Sequence, residues 1–372
     1  MEERPPSTTG LRPRQCVLVG TGALHVQLLA HLAAHPLAGM QVSLVATQPQ
    51  PMYPELVSGL VSGLYTDDKL RVDLVPLAKR AGIQWIKRNI VSMDAQQQNL
   101  VLNDGSVLHY DWLSIDSNPM LERARIEQAM PGAREHGLFV YPLEAFASLW
   151  PQVEALGTQR ALRIAVIGAG NMALELAMAV RQRLPTAAIT LLSGPENVGN
   201  HLPAKLQALL VASLKRRSIT VVPDLAIGFS PGAVQLACGA ALSCDVPLVA
   251  LPSQCTPWAL ESGLATNAQG RMDVDAFQRS TSHPQVFATN GPCPATGAQW
   301  AHNLSAAMAQ QDLQVHATPN STLQILSCGD GSALGSWKQH AGQGTWVQWV
   351  KNIRDRRALA KYRSIQPGET LA

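Results

Sequence analysis

The chain has 372 residues, 46% of them hydrophobic, and a formal net charge of +3. This length and apolar content are enough for two ordinary hydrophobic cores, so two domains are expected. The small positive charge argues against a dedicated nucleic-acid binder. Residues 1–14 are polar and contain proline, and no apolar run reaches the length needed to cross a bilayer. We therefore expect a cytoplasmic protein without a cleaved export signal.

The cysteines predict no redox or metal chemistry. They form no Cys-x-x-Cys pair and no closely spaced pair that could make a redox disulfide or a zinc site. We interpret them as small buried hydrophobic residues and expect no metal site. The six are Cys16, Cys238, Cys244, Cys255, Cys293 and Cys328.

The first predicted element is a strand that runs into a glycine-rich turn and then a helix. Gly20 allows the chain to turn tightly out of the strand, and Gly22 allows a pyrophosphate to approach backbone amides at the positive end of the helix. His25 stands where the common fingerprint has a third glycine. The candidate cofactor-binding residues of this turn are Gly20, Thr21, Gly22, Ala23, Leu24 and His25.

The next elements complete a first lobe. Residues 40–45 read as the second strand of a βαβ unit, and residues 53–65 read as a loop with a short helix. Alternating strands are predicted over 83–90 and 99–107, with a hairpin turn at Asn103-Asp104-Gly105. Residues 112–116 read as a buried strand.

Residues 163–255 repeat this plan, with a second strand, glycine turn and helix. Gly168 and Gly170 correspond to the two glycines of the first turn, and Ala173 replaces the third. The candidate cofactor-binding residues here are Gly168, Gly170, Asn171, Met172 and Glu175. Two turns of this kind indicate two dinucleotides, and therefore electron transfer between them. A short strand over 285–291 is expected to return to the first lobe.

The C-terminal segment predicts a basic amphipathic helix. Its apolar stripe comprises Trp346, Trp349, Val350 and Ile353. The surrounding basic residues are Lys351, Arg354, Arg356, Arg357, Lys361 and Arg363. One interpretation is a helix that contacts a membrane interface. The other, which we favour, is that the tryptophans pack on the first lobe while the charges are solvated.

In this order, the elements resemble the pyridine nucleotide-disulfide oxidoreductase superfamily of two-dinucleotide flavoproteins, in its type II NADH dehydrogenase-like branch. The closest resemblance is to the selenophosphate-synthase-associated oxidoreductases, in which a histidine at the position of His25 is common. The segments that carry the resemblance are 19–26, 54–65, 113–116, 168–175, 282–288 and 346–357.

The resemblance implies an α/β fold with two Rossmann-like lobes, an FAD lobe split around an inserted NAD(P) lobe. It implies that residues 12–150 and 271–330 form the FAD-binding lobe and that residues 151–270 form the lobe that binds NADH or NADPH. Residues 331–372 would form a C-terminal extension. It implies hydride transfer from NAD(P)H to flavin and then to a small acceptor, of which a quinone is one candidate. The cofactors perform this chemistry, so no catalytic side chain is assigned. Quinone-reducing relatives dock on membranes through C-terminal segments, which implies contact with the inner face of a membrane.

Several positions depart from the family pattern. Asp116 ends a family segment and is assigned to the cofactor site, but Asn290 and Gly291 stand where the family has Gly-Asp to hold FAD. No acidic residue for a ribose hydroxyl follows Val45, which matches the nearest family. None follows Leu192 either, which leaves NADH and NADPH both open. The alternative function is therefore a degenerate pseudoenzyme with weak or no flavin binding that binds a nucleotide or a partner.

Four residues allow two interpretations each. Glu175 either faces the nicotinamide or is a solvated helix residue. His25 either contacts flavin phosphate or fills the gap between helix and strand. Tyr53 and Tyr65 either stack near the flavin ring or anchor the loop between them.

Overall fold

A computed structural model describes residues 14–37, 39–116, 123–251, 257–267, 271–289, 296–315 and 323–363. The chain divides into two compact units, each assembled from separate segments. The first unit comprises Met1–Pro49, Leu74–Asn118 and Pro257–Ala317. The second comprises Gln50–Asp73, Pro119–Thr256 and Thr318–Ala372.

The strands are short and are numbered in chain order. They are β1 (Arg14–Val19), β2 (Met40–Val45), β3 (Gln84–Ile86), β4 (Ile90–Asp94), β5 (Asn99–Leu102), β6 (Val107–His109), β7 (Trp112–Ile115), β8 (Leu138–Phe139), β9 (Arg163–Ile167), β10 (Ala188–Leu192), β11 (Ile219–Val222), β12 (Ala226–Ser230), β13 (Ala233–Leu236), β14 (Ala241–Ser243), β15 (Val246–Val249), β16 (Val286–Ala288), β17 (Gln324–Ser327), β18 (Ala333–Trp337) and β19 (His340–Gly344).

The helices range from single turns to five turns. They are α1 (Ala23–Ala34), α2 (Val57–Ser62), α3 (Asp67–Leu70), α4 (Val75–Arg80), α5 (Arg123–Ala129), α6 (Ala133–His136), α7 (Leu143–Gln159), α8 (Asn171–Arg183), α9 (Ala204–Arg216), α10 (Pro257–Leu260), α11 (Gly297–Met308) and α12 (Thr345–Arg363). A 3₁₀ turn at Pro54–Leu56 precedes α2.

The first unit contains a five-stranded parallel sheet in the order β16-β7-β1-β2-β3. The last four residues of β1 are buried, as expected for a central parallel strand covered on both faces. Helices α1 and α11 pack against each other, and Gly297 permits this approach because a Cβ there would overlap the backbone of Gln27. A separate antiparallel sheet, β4-β5-β6, contains the predicted turn at 103–105.

The second unit is built on a matching parallel sheet in the order β11-β10-β9-β15-β8. Two small antiparallel sheets, β12-β13-β14 and β17-β18-β19, accompany it. Helix α8 packs on α2, β10 and β17, while α12 packs on the strands of the last sheet. The short helix of residues 57–62 and the C-terminal segment therefore share a core with the helix that follows the second glycine turn.

The predicted α/β class with parallel sheets is confirmed. The predicted return of the chain near residue 286 is also confirmed, because β16 pairs with β7 in the first sheet. The predicted domain limits differ from the compact units, since residues 50–73, 119–150 and 323–363 cluster with the second unit. Which unit takes which cofactor stays a prediction. Within the described residues, no helix is both long enough and apolar enough to span a membrane.

Candidate functional site

The first glycine turn leaves β1 at its carboxyl end and enters α1. Gly20 has a positive φ of 89°, which favours glycine, and its N–H donates to the carbonyl of Val45 at 3.0 Å. Gly22 is the N-cap of α1 and has no side chain with which to satisfy the first amides of the helix. The turn therefore presents the positive end of a helix beside the end of the central strand.

The carboxylate of Asp116 lies directly against this turn. Asp116 follows β7, and its side-chain Oδ2 accepts a hydrogen bond from the N–H of His25 at 2.8 Å. Its Oδ1 accepts one from the hydroxyl of Thr289 at 3.0 Å, and its carbonyl accepts one from the N–H of Gly22 at 2.8 Å. A Cβ added to Gly22 would overlap the carboxyl group of Asp116. The side chain of Asp116, which directly follows β7, thus caps the first turn of α1.

The ring of His25 is fully buried and belongs to a short series of hydrogen-bonded groups. Its Nδ1 lies 2.8 Å from the carbonyl of Gly20, and because a carbonyl only accepts, Nδ1 carries the hydrogen. The hydroxyl of Ser114 lies 2.7 Å from Nε2 and accepts from the indole N–H of Trp300 at 2.9 Å. Burial lowers the pKa of His25 below its ordinary 6.5. The neutral ring fills the space between helix and strand, where the fingerprint has glycine.

The second glycine turn has the same backbone plan. Gly168 has a φ of 146°, and its N–H donates to the carbonyl of Leu192 at 3.0 Å. A Cβ at Gly168 would overlap the carbonyl oxygen of Ala250, so glycine is required there for close packing. Gly170, the N-cap of α8, has no atom of the described residues within 4 Å of the position of a Cβ. Asn171, the first residue of α8, contacts the ring of His201 at 2.8 Å.

Each turn lies where the strand order of its sheet reverses. In the first sheet the reversal falls between β1 and β7, and in the second it falls between β9 and β15. Ligands of open parallel sheets bind outside the carboxyl ends of the strands at this point. Both turns therefore have a backbone geometry suited to a pyrophosphate. They differ beside the second glycine, because the carboxyl group of Asp116 lies against Gly22 and no described side chain lies against Gly170.

Glu175 lies on α8 and is buried, with 9% of its surface exposed. Its carboxylate accepts hydrogen bonds from the hydroxyl of Ser58 at 2.8 Å and from the N–H of Ser327 at 2.9 Å. Burial raises the pKa of Glu175, and Lys351 and these two hydrogen bonds oppose the shift. The interpretation of Glu175 as a solvated residue is wrong. The carboxylate joins α2, α8 and β17, and its role beside a nicotinamide stays a prediction.

Tyr65 and Asn303 each make hydrogen bonds within their own unit. The ring of Tyr65 lies over Gly59, and its hydroxyl donates to Asn352 at 3.2 Å, which anchors the end of the 53–65 loop. The amide of Asn303 bonds to both backbone groups of Gln314, while His302 is exposed. The predicted cofactor residues Asn290 and Gly291 lie outside the described residues.

The exposed face of α12 carries two tryptophans, and its buried face carries an ion pair beside Val347 and Gln348. Trp346 and Trp349 are 63% and 64% exposed, so the predicted packing of these tryptophans is wrong. The buried side instead carries Lys351 and Asp355, whose side chains form an ion pair of 2.6 Å. Lys351 also donates to the carbonyl of Glu55 at 3.0 Å.

The sequence indicated the glycine turns and Asp116 but missed the residues that position them. Ser114, Thr289 and Trp300 hold His25 and Asp116 in place, and they come from three different elements or their ends. Ser114 lay within a segment that carried the family resemblance. No local pattern marked Thr289 or Trp300, because their partners are more than 170 residues away.

Comparison with known proteins identifies relatives over most of the chain. The family model described as pyridine nucleotide-disulphide oxidoreductase matches residues 14–307. An NADH dehydrogenase-like protein of Mycobacterium tuberculosis is 22% identical over 285 residues, which cover 72% of this chain and 64% of the relative. The alternative NAD(P)H-ubiquinone oxidoreductase C1 of Arabidopsis thaliana is 25% identical over 321 residues, which cover 74% and 60%. The chain thus spans less than two thirds of the length of these relatives.

Solved structures share the fold at low sequence identity. The sulfide:quinone oxidoreductase of Aquifex aeolicus has a TM-score of 0.75 at 17% identity, with 96% of this chain and 93% of that chain covered. NDH2 of Plasmodium falciparum, solved in complex with NADH, has a TM-score of 0.76 at 11% identity, with 95% and 96% covered.

Proposed function

Because the chain belongs to the pyridine nucleotide-disulphide oxidoreductase family, whose members are flavoproteins that bind FAD and NAD(P)H, we propose that it is an NAD(P)H dehydrogenase of the type II class. FAD binds at the first glycine turn and NADH or NADPH at the second. Bound there, the two cofactors would supply hydride transfer from nicotinamide to flavin, and the reduced flavin would give two electrons to a diffusible acceptor, for which a quinone that also takes up two protons is our candidate. The absence of a Cys-x-x-Cys pair from the sequence supports a reaction without a redox disulfide. The predicted link to the selenophosphate-synthase-associated branch also stays a proposal.

The observation that carries this proposal is the repeated glycine turn. Gly20 and Gly168 make the same hydrogen bond to the end of the next strand, and Gly22 and Gly170 are both helix N-caps. The helix ends attract phosphate, and the glycines permit close backbone approach. The bound cofactors supply the hydride chemistry, while the residues of this chain bind and orient them.

Substituting Gly170 tests the second site with little risk to the fold. Its φ is −79°, which alanine adopts without strain, and no described atom crowds the position of the new Cβ. We expect Gly170→Ala to leave the melting temperature unchanged and to weaken NADH or NADPH binding about tenfold or more, because the methyl group stands where the pyrophosphate approaches. Unchanged binding of both nucleotides, measured by titration calorimetry, would rule out the assignment of this turn.

The pseudoenzyme remains a second candidate because of Asp116. Its carboxylate lies against Gly22, the residue that a pyrophosphate must approach. A protein that binds nicotinamide nucleotide at the second turn but retains no added FAD would fit this candidate and contradict the dehydrogenase.

We further propose that α12 contacts an anionic membrane surface. Two largely exposed tryptophans, Trp346 and Trp349, lie on a helix that also carries exposed Arg354 and Arg356. Indole rings partition into membrane interfaces, and arginines attract anionic headgroups. The wild type is expected to sediment with vesicles that contain anionic lipid, and a Trp346→Ser, Trp349→Ser variant is expected to remain in solution. Equal sedimentation of both proteins would exclude this contact.

A further inference from the structure

The residue that follows the neighbouring strand differs between the two glycine turns. In the first sheet Val19 is paired with Ile115, and the next N–H, that of Asp116, donates to the carbonyl of Val19 at 2.9 Å. In the second sheet Ile167 is paired with Val249, and the N–H of Ala250 donates to the carbonyl of Ile167 at 2.9 Å. Asp116 and Ala250 therefore occupy equivalent positions.

This difference places a carboxylate on one turn only. The side chain of Asp116 is 7% exposed and fills the space that a Cβ at Gly22 would take. At the equivalent position of the second turn, the methyl group of Ala250 carries no charge, and the described residues leave the space beside Gly170 open. A buried anion thus lies at the first turn where the fingerprint reserves room for phosphate.

The charge of Asp116 is not balanced by its histidine neighbour. Nδ1 of His25 donates to the carbonyl of Gly20, and burial lowers the pKa of the ring below its ordinary 6.5, which favours the neutral form in which Nε2 accepts from Ser114. The groups that bond the carboxylate, the N–H of His25 and the hydroxyl of Thr289, are also neutral. The helix end stabilises one anion well, but a second anion beside it meets like-charge repulsion.

We propose that Asp116 is an internal anion that competes with the flavin pyrophosphate for the first turn and so sets the affinity of this site for FAD. The proposal rests on the assignment of FAD to this turn. The carboxylate caps α1 while the site is empty, and FAD binding requires it to move aside or to remain beside the phosphate at an electrostatic cost. FAD affinity is consequently lower than the glycine turn alone would allow.

The test is the affinity of the apoprotein for FAD, measured by equilibrium dialysis. Asp116→Asn removes the charge but keeps an oxygen that accepts from the N–H of His25, so helix capping is preserved. Asp116→Ala introduces the residue type that the second turn has at the equivalent position, Ala250. We expect both variants to bind FAD about tenfold more tightly than the wild type, or better, as expected when one contacting charge is removed.

Asp111→Asn is the matched control. Its carboxylate also accepts from a backbone N–H, that of Gln15 at 2.6 Å, but at the start of β1 and not at the glycine turn. This variant should bind FAD as the wild type does, which would exclude a general effect of net charge.

The outcomes separate this inference from the proposed function. If FAD binds to the wild type and equally or less tightly to both Asp116 variants, the inference is overturned and the assignment of FAD to the protein stands. If none of the proteins binds FAD while all bind NADH or NADPH, both the inference and the proposed dehydrogenase are overturned.

Discussion

At the scale of single residues, the first glycine turn is specified by buried hydrogen bonds between distant parts of the chain. Ser114 connects His25 to Trp300, and Asp116 connects α1 to the residue after β16. Each polar group that is buried here has a partner, which is required because an unpaired buried polar group costs about 1–3 kcal/mol. The histidine at the third fingerprint position is therefore compatible with the turn only together with Ser114.

Removing the hydroxyl of Ser114 tests this dependence. Ser114→Ala deletes the donor to Nε2 of His25 and the acceptor of a hydrogen bond from Trp300. We expect a loss of about 1–3 kcal/mol in the free energy of unfolding, because Nε2 remains buried. Urea denaturation followed by circular dichroism measures this loss.

Ser92→Ala is the control for that substitution, since Ser92 is an exposed serine on β4 of the same unit. Its effect should stay within about 0.5 kcal/mol. Equal effects of the two substitutions would show that the buried chain through His25 does not stabilise the turn.

At the scale of secondary-structure elements, α12 shows how buried charge can orient a helix. The apolar stripe of Trp346, Trp349, Val350 and Ile353 predicted one inward face, but the buried residues of this helix are Val347, Gln348, Lys351 and Asp355. Lys351 donates hydrogen bonds to Asp355 and to the carbonyl of Glu55, and Glu55 is distant in sequence. The residue pattern of the helix alone does not include Glu55, so it could not predict which face of α12 would be buried.

Breaking the buried pair should destabilise the second unit strongly. Lys351→Met leaves the carboxylate of Asp355 buried with only half-exposed Arg354, 3.8 Å away, as an ion-pair partner, and losses of this kind are about 3–5 kcal/mol. The double variant Lys351→Met, Asp355→Leu removes both charges and should recover most of that loss. Denaturation of the wild type and both variants, compared as unfolding free energies, measures the pair.

An exposed pair of the same spacing in the same unit provides the comparison. Arg71 and Asp67 form an i,i+4 pair whose side chains are 26% and 47% exposed. Arg71→Met should cost less than about 1 kcal/mol. If Lys351→Met cost no more than this control, the buried pair would not be what holds the helix in place.

At the scale of the whole molecule, the sequence predicted the repeated architecture because that architecture depends on local features. Glycine spacing, buried strands and amphipathic helices recur in both halves, and each is set by residues close in sequence. The predicted strand at 40–45, the hairpin turn at 103–105 and the two glycine turns all agree with the structure. The cap by Asp116 could not be predicted in this way, because it joins residues 91 positions apart.

The grouping of segments into compact units was also beyond local patterns. Residues 57–62 pack on α8, and the C-terminal strands pack on α8 and α9. These contacts depend on side chains such as Glu175, whose partners Ser58 and Ser327 lie more than 100 residues away in either direction. The segments near Asn290 and Gly291, where the family pattern fails, lie outside the described residues.

The proposed dehydrogenase requires that one chain bind both FAD and a nicotinamide nucleotide, so that a hydride can pass between them. An anaerobic absorption spectrum of the 372-residue chain, reconstituted with FAD and freed of unbound flavin, is recorded before and after addition of NADH or NADPH. We expect a protein-bound flavin spectrum whose main visible band bleaches with one of the two nucleotides. A protein that retains no flavin, or a bound flavin that neither nucleotide reduces, would contradict it.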